Sequence, residues 1–127
     1  RNYQKYVDWQ ANYDKAMRED TYGGKTPQET LDMFVAALRA GDVELASKYF
    51  MLNMAGKVGE KLINYMNEIK KNNYMSLMAN DISRAKPAGS SYEGDYAFEI
   101  YNNDGSVAVT IEMKLNSLSK VWKIESL

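Results

Sequence analysis

Several tyrosine and aspartate side chains of this chain are candidates for acid–base catalysis. The sequence contains neither histidine nor cysteine, which removes the commonest general base and the thiolate nucleophile. A tyrosine hydroxyl and an aspartate carboxyl in an apolar site can still exchange protons with a substrate. The candidates are three tyrosines and two aspartates: Tyr74, Tyr92, Tyr96, Asp81 and Asp95.

The pattern around these candidates argues against a catalytic site. Asp95 alternates with Tyr96 and Phe98 in a predicted strand, so its side chain should point to solvent. Asp81 lies beside a predicted edge strand, after a segment (72–79) whose pattern fits a helix and a strand equally well. We therefore expect no catalytic residue, and a small isomerase or hydrolase that uses Tyr and Asp is the rival hypothesis.

Composition excludes several further classes of function. The 16 basic and 17 acidic residues give a net charge of -1, so the chain has no basic field to attract nucleic acid. Gly23-Gly24 lacks the lysine and the strand of a nucleotide-binding loop. The acidic residues are scattered, and Asn102-Asn103-Asp104-Gly105 lacks the spaced acids of a calcium loop. We expect no metal site and no cofactor.

The segment from Asn2 to Asp20 predicts an amphipathic helix with an unusually aromatic stripe. Its apolar members share one helical face: Tyr3, Tyr6, Tyr13 and Met17. Three interpretations stay open. This face packs on its own domain, it packs on a second copy in a homodimer, or the helix is a stalk near a membrane with Trp9 at the interface.

The next helix has its start and its end marked in the sequence. Thr26 is a suitable cap, Pro27 suits the first helical position, and Glu29 can reach back to the N–H of the cap. Gly41 then ends the helix. We further predict a short helix from Asp42 to Phe50, an irregular segment at 53–59 and a helix over about 57–71.

The last third predicts an antiparallel sheet. An edge strand at 82–86 ends before Pro87, and a loop follows at 88–94. Two alternating strands are joined by a four-residue loop in which Gly105 is left-handed, with Phe98 opposite Val109. In the second hairpin, a loop at 116–119 sets Met113 against Trp122 and Glu112 against Lys123, because the alternative register opposes Lys114 to Lys123.

Helices that precede an antiparallel sheet define the α+β class. We predict one domain at 23–127, with helices packed on a twisted sheet of three to four strands, and a helical stalk or packing helix at 1–22. The outer face of the sheet should be solvated, with charged side chains that include Glu99, Lys114 and Lys123.

Several motifs resemble the nuclear transport factor 2-like superfamily, which has a cystatin-like cone fold. The resemblance covers about residues 25–127, and its motifs are Thr26-Pro27-x-Glu29-Thr30-Leu31-x-x-Phe34, Ala37-Leu38-x-x-Gly41-Asp42, Ala46, Tyr49-Phe50 and Val121-Trp122-Lys123-Ile124. More narrowly, the chain is similar to small bacterial domains of uncharacterised function that follow a membrane or lipid anchor. The resemblance implies that the sheet wraps around the long helix as a cone.

This resemblance favours a non-enzymatic accessory or binding domain. Its expected partners are a small apolar ligand or a protein, and its expected location is the cell envelope, outside the cytoplasmic membrane. The start at Arg1 is consistent with an anchor upstream. Residues expected to fill the cone as simple core are Phe34, Tyr49, Phe50, Met66, Tyr96, Phe98, Met113 and Trp122. The alternative is that seven of them line a pocket for an apolar ligand: Phe34, Tyr49, Met66, Tyr96, Phe98, Met113 and Trp122.

Overall fold

A computed structural model describes residues 2–89 and 91–127 of the chain. It contains five helices followed by four strands. Their bounds are α1 Asn2–Glu19, α2 Pro27–Arg39, α3 Val43–Ser47, α4 Glu60–Lys71, α5 Met75–Ser83, β1 Lys86–Pro87, β2 Asp95–Tyr101, β3 Val107–Leu115 and β4 Trp122–Ser126. The strands form one antiparallel sheet in the order β1-β2-β3-β4. Ser90, in the predicted loop 88–94, and Arg1 lie outside the described residues.

The predicted start and end of α2 are confirmed. The N–H of Glu29 donates to Thr26 Oγ1 at 3.2 Å, and Pro27 occupies the first turn. The carboxylate of Glu29 accepts from the N–H of Lys25, at 3.1 Å, rather than from that of the cap itself. Gly41 follows the helix with a φ of 69°. Both ends are therefore fixed by local sequence, as expected.

The segment that contains Gly23-Gly24 is held against β4. The N–H of Trp122 donates to the Gly24 carbonyl at 2.9 Å. The Thr30 hydroxyl accepts from the N–H of Gly24 and donates to the Trp122 carbonyl, both at 2.9 Å. A side chain on Gly23 would meet the Trp122 carbonyl at 2.3 Å. Glycine is needed here for close approach to the strand.

The structure assigns the segment that the sequence left ambiguous, and it differs from three element predictions. The ambiguous segment is a helix, because Met75, Ala79 and Ile82 bury one helical face against the core. The edge strand predicted at 82–86 is therefore wrong: β1 has two residues and includes Pro87, which the edge position tolerates. The predicted short helix ends at Ser47 and the predicted helix at 57–71 begins at Glu60.

Both predicted hairpin registers are wrong by two residues. Phe98 lies opposite Ile111 rather than Val109, because the loop is longer than predicted and a bulge follows Ile100. Gly105 is left-handed with a φ of 88°, as expected. A two-residue error preserves the alternation where β2 pairs with residues 109–114, whereas Val107, beyond the bulge, lies opposite Tyr101.

In the second hairpin, Met113 pairs with Ile124 and Leu115 with Trp122, so Lys114 does lie opposite Lys123. The predicted repulsion does not arise because these two ammonium groups have different partners. Lys114 lies 3.9 Å from Asp95 on the solvated side. Lys123 is fully buried and bound elsewhere, so the prediction that it lies on a solvated face is wrong.

The core lies between the helices and the inner face of the sheet. Its buried members are Leu31, Phe34, Ala37, Leu38, Ala46, Tyr49, Phe50, Met66, Met75, Ala79, Ile82, Phe98, Ile100, Ile111, Met113 and Ile124. The α+β class with helices packed on the sheet is confirmed. A cone, which the resemblance implies, is compatible with this arrangement and stays a prediction.

Candidate functional site

The residues expected to line the cone lie in a packed interior. Five of them are buried in the core: Phe34, Tyr49, Met66, Phe98 and Met113. The other two, Tyr96 and Trp122, are partly buried and pack against that core. Aromatic edges and faces meet inside it, with 5.1 Å between the ring centres of Tyr96 and Phe98. The seven side chains thus contact the core and one another, and whether a ligand reaches them stays a prediction.

An apolar cleft opens at the rim of this core, between α4, α5 and the inner face of the sheet. We call it the mouth cleft; its volume is about 410 Å³. Its lining residues are Tyr65, Ile69, Tyr74, Leu77, Met78, Asp81, Ile82, Ile100, Val109, Ile111 and Leu127. Five of these large side chains remain substantially exposed: Tyr65, Tyr74, Leu77, Val109 and Leu127. Exposed apolar side chains grouped around a concavity favour a binding site.

Local sequence explains why this cleft forms. Asn73 has a φ of 63°, and the N–H groups of Asn73 and Tyr74 donate to the carbonyls of Lys70 and Ile69 at 3.0 and 2.9 Å. This left-handed cap ends α4 and lets α5 begin one residue later. The sharp turn places Tyr74 and Leu77 at the cleft, while Ile82 on the same helix is buried.

Sequence reasoning missed the mouth cleft because it left α5 unassigned. The signal was present: Met75, Met78, Ala79 and Ile82 recur at intervals of three and four residues, which is the spacing of one helical face. A helix at this position would have placed Tyr74 and Asp81 beside the inner face of the sheet.

The structure brings two of the proposed proton-transfer residues, Tyr74 and Asp81, to the mouth cleft. Asp81 lies in α5 and Tyr74 immediately precedes this helix, about two turns away. The Asp81 carboxylate accepts from the Arg84 guanidinium at 2.8 Å, and both side chains are about half exposed. A hydrated carboxylate already paired with arginine lacks the apolar environment that a catalytic acid or base requires.

The other three candidates lie at a second cleft, where β2 and β3 meet the chain before them. It has a volume of about 560 Å³, and Tyr92, Asp95 and Tyr96 are among its lining residues. Asp95 is 54% exposed, as the strand alternation predicted. Tyr92 is 81% exposed, and Tyr96 packs on Phe98 and Trp122. These residues do not form an enclosed tyrosine–aspartate pair.

The least expected polar feature is the buried ammonium group of Lys123. Its Nζ lies 3.0 and 2.9 Å from the two oxygens of Asp20, and it donates to the carbonyls of Tyr22 and Lys48 at 2.7 and 2.6 Å. Both side chains of this ion pair are almost completely buried. Burial lowers the pKa of Lys123 below its usual value near 10.5, and the Asp20 carboxylate opposes that shift.

This ion pair fixes the end of α1 to β4. Beside it, Met17 is buried and its carbonyl accepts from the Asn116 side chain at 2.9 Å. The Lys123 ammonium is bound by Asp20 and by two backbone carbonyls, and its side chain lines none of the described clefts. The arrangement is therefore structural.

Within residues 2–89 and 91–127, no cluster of acidic side chains could hold a metal ion. In the same part of the chain, no helix combines the length and the hydrophobicity that a membrane crossing requires. Comparison of the chain with protein families, with curated proteins and with solved structures gave no match. The resemblance to the nuclear transport factor 2-like superfamily therefore stays a prediction.

Proposed function

We propose that this chain is a non-enzymatic binding domain that holds a small, largely apolar ligand in the mouth cleft. One observation carries the proposal: α4, α5 and the sheet leave Tyr65, Tyr74 and Leu77 exposed around one concave, apolar surface. The free energy falls when a ligand removes such a group of exposed apolar side chains from water, so binding is favoured.

The size and chemistry of the cleft favour a compact ligand. Its volume of about 410 Å³ lies within the range of cavities that hold small molecules, roughly 300–1,000 Å³. Two phenol groups, those of Tyr65 and Tyr74, offer hydrogen bonds beside the apolar walls. Met78 supplies a flexible side chain that can adapt to different shapes. A neutral, mostly aromatic or aliphatic molecule fits this set.

Binding without catalysis is favoured by the state of Asp81, the one ionised side chain among the described residues that line the cleft. Asp81 is half exposed and paired with Arg84, so it is poorly suited to accept a proton from a bound ligand. The sequence also lacks histidine and cysteine.

The wider assignment rests on the resemblance. An accessory domain in the cell envelope, connected to an upstream anchor through α1, is the role we infer for such a binding module. The seven interior residues first expected to contact a ligand are the alternative binding surface, and they would become accessible only if the core opened.

A fluorescence titration tests the proposal. The neutral probe N-phenyl-1-naphthylamine, which brightens in apolar surroundings, is added to the full chain and to the variant Leu77→Glu. Leu77 is exposed, so the variant should fold. We expect saturable binding to the wild-type chain and at least about tenfold weaker binding to the variant, because a charge replaces an apolar contact.

The matched control is Leu118→Glu. Leu118 is also an exposed leucine, but it lies in the loop between β3 and β4, away from the mouth cleft. This variant should bind the probe as the wild-type chain does. Absence of binding to the wild-type chain, or equal weakening by both substitutions, would refute a site at the mouth cleft.

A further inference from the structure

The first half of α1 carries aromatic side chains that the rest of the described chain does not cover. Tyr3 is 77% exposed and Tyr6 is 59% exposed. Tyr6 contacts the ring of Trp9, which is stacked on Tyr13 with 5.6 Å between ring centres. The Trp9 indole donates to the Met54 carbonyl at 2.7 Å, and the Met54 side chain is exposed. We call Tyr3, Tyr6 and Met54 the aromatic patch.

The spacing in α1 is that of a helix with a partner along its whole length. Residues 3, 6, 10, 13 and 17 follow the alternating three- and four-residue intervals of a heptad seam, and they are Tyr3, Tyr6, Gln10, Tyr13 and Met17. The domain itself covers the C-terminal end of this seam, where Met17 is buried. The N-terminal end continues the same pattern without a cover.

The accessible surface of the chain is larger than that of a compact monomer of the same mass. The accessible area is 8158 Å² for a mass of 14.5 kDa. A compact monomer of that mass exposes about 6,900 Å². The excess of about 1,300 Å² on one chain is larger than the roughly 800 Å² that each partner buries in a standard protein interface.

The charges of α1 favour a second copy over a membrane surface or a nucleic acid. The helix carries three basic residues, Lys5, Lys15 and Arg18, and three acidic ones, Asp8, Asp14 and Glu19. A helix without net charge meets its own copy without net repulsion. It gains nothing from the negative potential of anionic lipids or phosphates.

We propose that the N-terminal halves of two copies of α1 pack against each other, antiparallel, in a twofold symmetric dimer. If the two helices cross near Tyr6, the Tyr6 rings of the two copies meet at the twofold axis. The antiparallel direction carries each Tyr3 past the axis, toward the aromatic patch of the other copy. The interface is isologous, because the same patch serves both subunits.

Sedimentation equilibrium of the full chain tests this dimer through the variant Tyr6→Lys. We expect a wild-type dimer and an increase of at least about 30-fold in its dissociation constant for the variant, because a central aromatic anchor is lost from both subunits. The control is Tyr92→Lys, which changes a tyrosine that is 81% exposed and lies outside α1. This control should remain as dimeric as the wild-type chain.

The helix face and the crossing point are tested by disulfide formation, since the sequence contains no cysteine. The variant Tyr6→Cys should cross-link two subunits under mild oxidation. Gln4→Cys, on a different side of the helix, should not. Probe binding at the mouth cleft should be unchanged in Tyr6→Lys, so failure of the dimer and failure of the proposed function are distinguishable.

Three outcomes would overturn the dimer. A wild-type chain that stays monomeric at 100 µM, roughly the upper end of weak but specific association, would do so. Equal dissociation of the Tyr6→Lys and Tyr92→Lys variants would do so as well. Binding of the monomeric chain to zwitterionic phosphatidylcholine vesicles, abolished by Tyr6→Lys, would assign the aromatic patch to a membrane instead.

Discussion

Replacement of Asp20 by alanine should destabilise the protein more than its position near the end of α1 suggests. The substitution leaves the Lys123 ammonium buried with two carbonyl acceptors, those of Tyr22 and Lys48, and with no negative charge. Removal of one partner from a buried ion pair typically costs about 3–5 kcal/mol. Because the two carbonyls still accept hydrogen bonds from the ammonium, we expect a loss of stability at the lower end of this range, about 3 kcal/mol.

This loss is measurable by urea unfolding followed by circular dichroism. It is a large fraction of the roughly 5–15 kcal/mol that stabilises a domain, and it corresponds to a fall of roughly 10 °C in the melting temperature. The neighbouring acid provides the control. Glu19 is well exposed and lies 4.0 Å from Lys15, so Glu19→Ala should leave the free energy of unfolding essentially unchanged.

A double-mutant cycle separates the ion pair from other effects of the substitution. Lys123→Met removes the buried charge, and Asp20→Ala combined with Lys123→Met should be more stable than Asp20→Ala alone, because no uncompensated ammonium remains. Our interpretation of Lys123 would be refuted if Asp20→Ala cost under about 1 kcal/mol, or if the two substitutions were additive.

Two further predictions concern pH and the docking of α1. The pKa of Lys123 is lowered in the folded state, so between that pKa and 10.5 the unfolded chain binds more protons and this group makes stability rise with pH. Burial raises the pKa of Tyr49, which contributes stability that is present below 10.0 and lost as pH rises through its folded pKa. Urea midpoints should be measured from pH 8 to 11 for the wild-type chain and for Lys123→Met. The contribution that rises with pH should be absent from the variant. Parallel curves for the two chains would contradict the assignment of this contribution to Lys123. A Cβ on Gly56, at a φ of 74°, would lie 2.8 Å from that of Ala16 in α1. Gly56→Ala should destabilise the protein by about 1–2 kcal/mol for the left-handed backbone, with an additional cost for the contact. Hydrogen exchange in the second half of α1 should accelerate in this variant. Gly41→Ala, at a φ of 69° with no atom near the added carbon, should show the backbone cost without that acceleration, and equal exchange in the two variants would refute the docking contact.

Features determined by neighbouring residues could be predicted from the sequence. The cap of α2, the left-handed Gly105 and the alternation of the sheet all depend on a few consecutive side chains, and the structure confirms them. The hairpin registers could not be settled in the same way. Each depends on bulges and loop lengths, and a two-residue slip leaves the buried face unchanged.

Lys123 illustrates the second limit of the sequence. Strand alternation assigns it to the outer face, and that assignment predicts a solvated side chain. Its actual environment is supplied by Asp20 and by carbonyls from two distant segments, more than 70 residues away in the chain. Contacts of this kind have no local signature in the sequence. The register that opposes Lys114 to Lys123 was therefore rejected for like-charge repulsion, although it is the register observed.

The mouth cleft shows a third kind of limit. Its walls come from α4, α5 and two strands, so its position depends on how α5 packs on the sheet. The residues first proposed as ligand contacts were chosen as large apolar side chains of the interior, and most of them became core. The exposed residues at the rim are distinguished from the core only once the fold is known.

Methionine methyl NMR tests the central proposal most directly, because the eight methionines sample different environments. Met78 lines the mouth cleft, Met66 and Met113 are buried in the core, and Met54 is exposed on a distant loop. On titration with N-phenyl-1-naphthylamine, we expect the Met78 resonance to shift in a saturable manner while that of Met54 stays constant. Shifts confined to Met66 and Met113 would place the ligand inside the core, and an unchanged Met78 resonance would contradict binding at the mouth cleft.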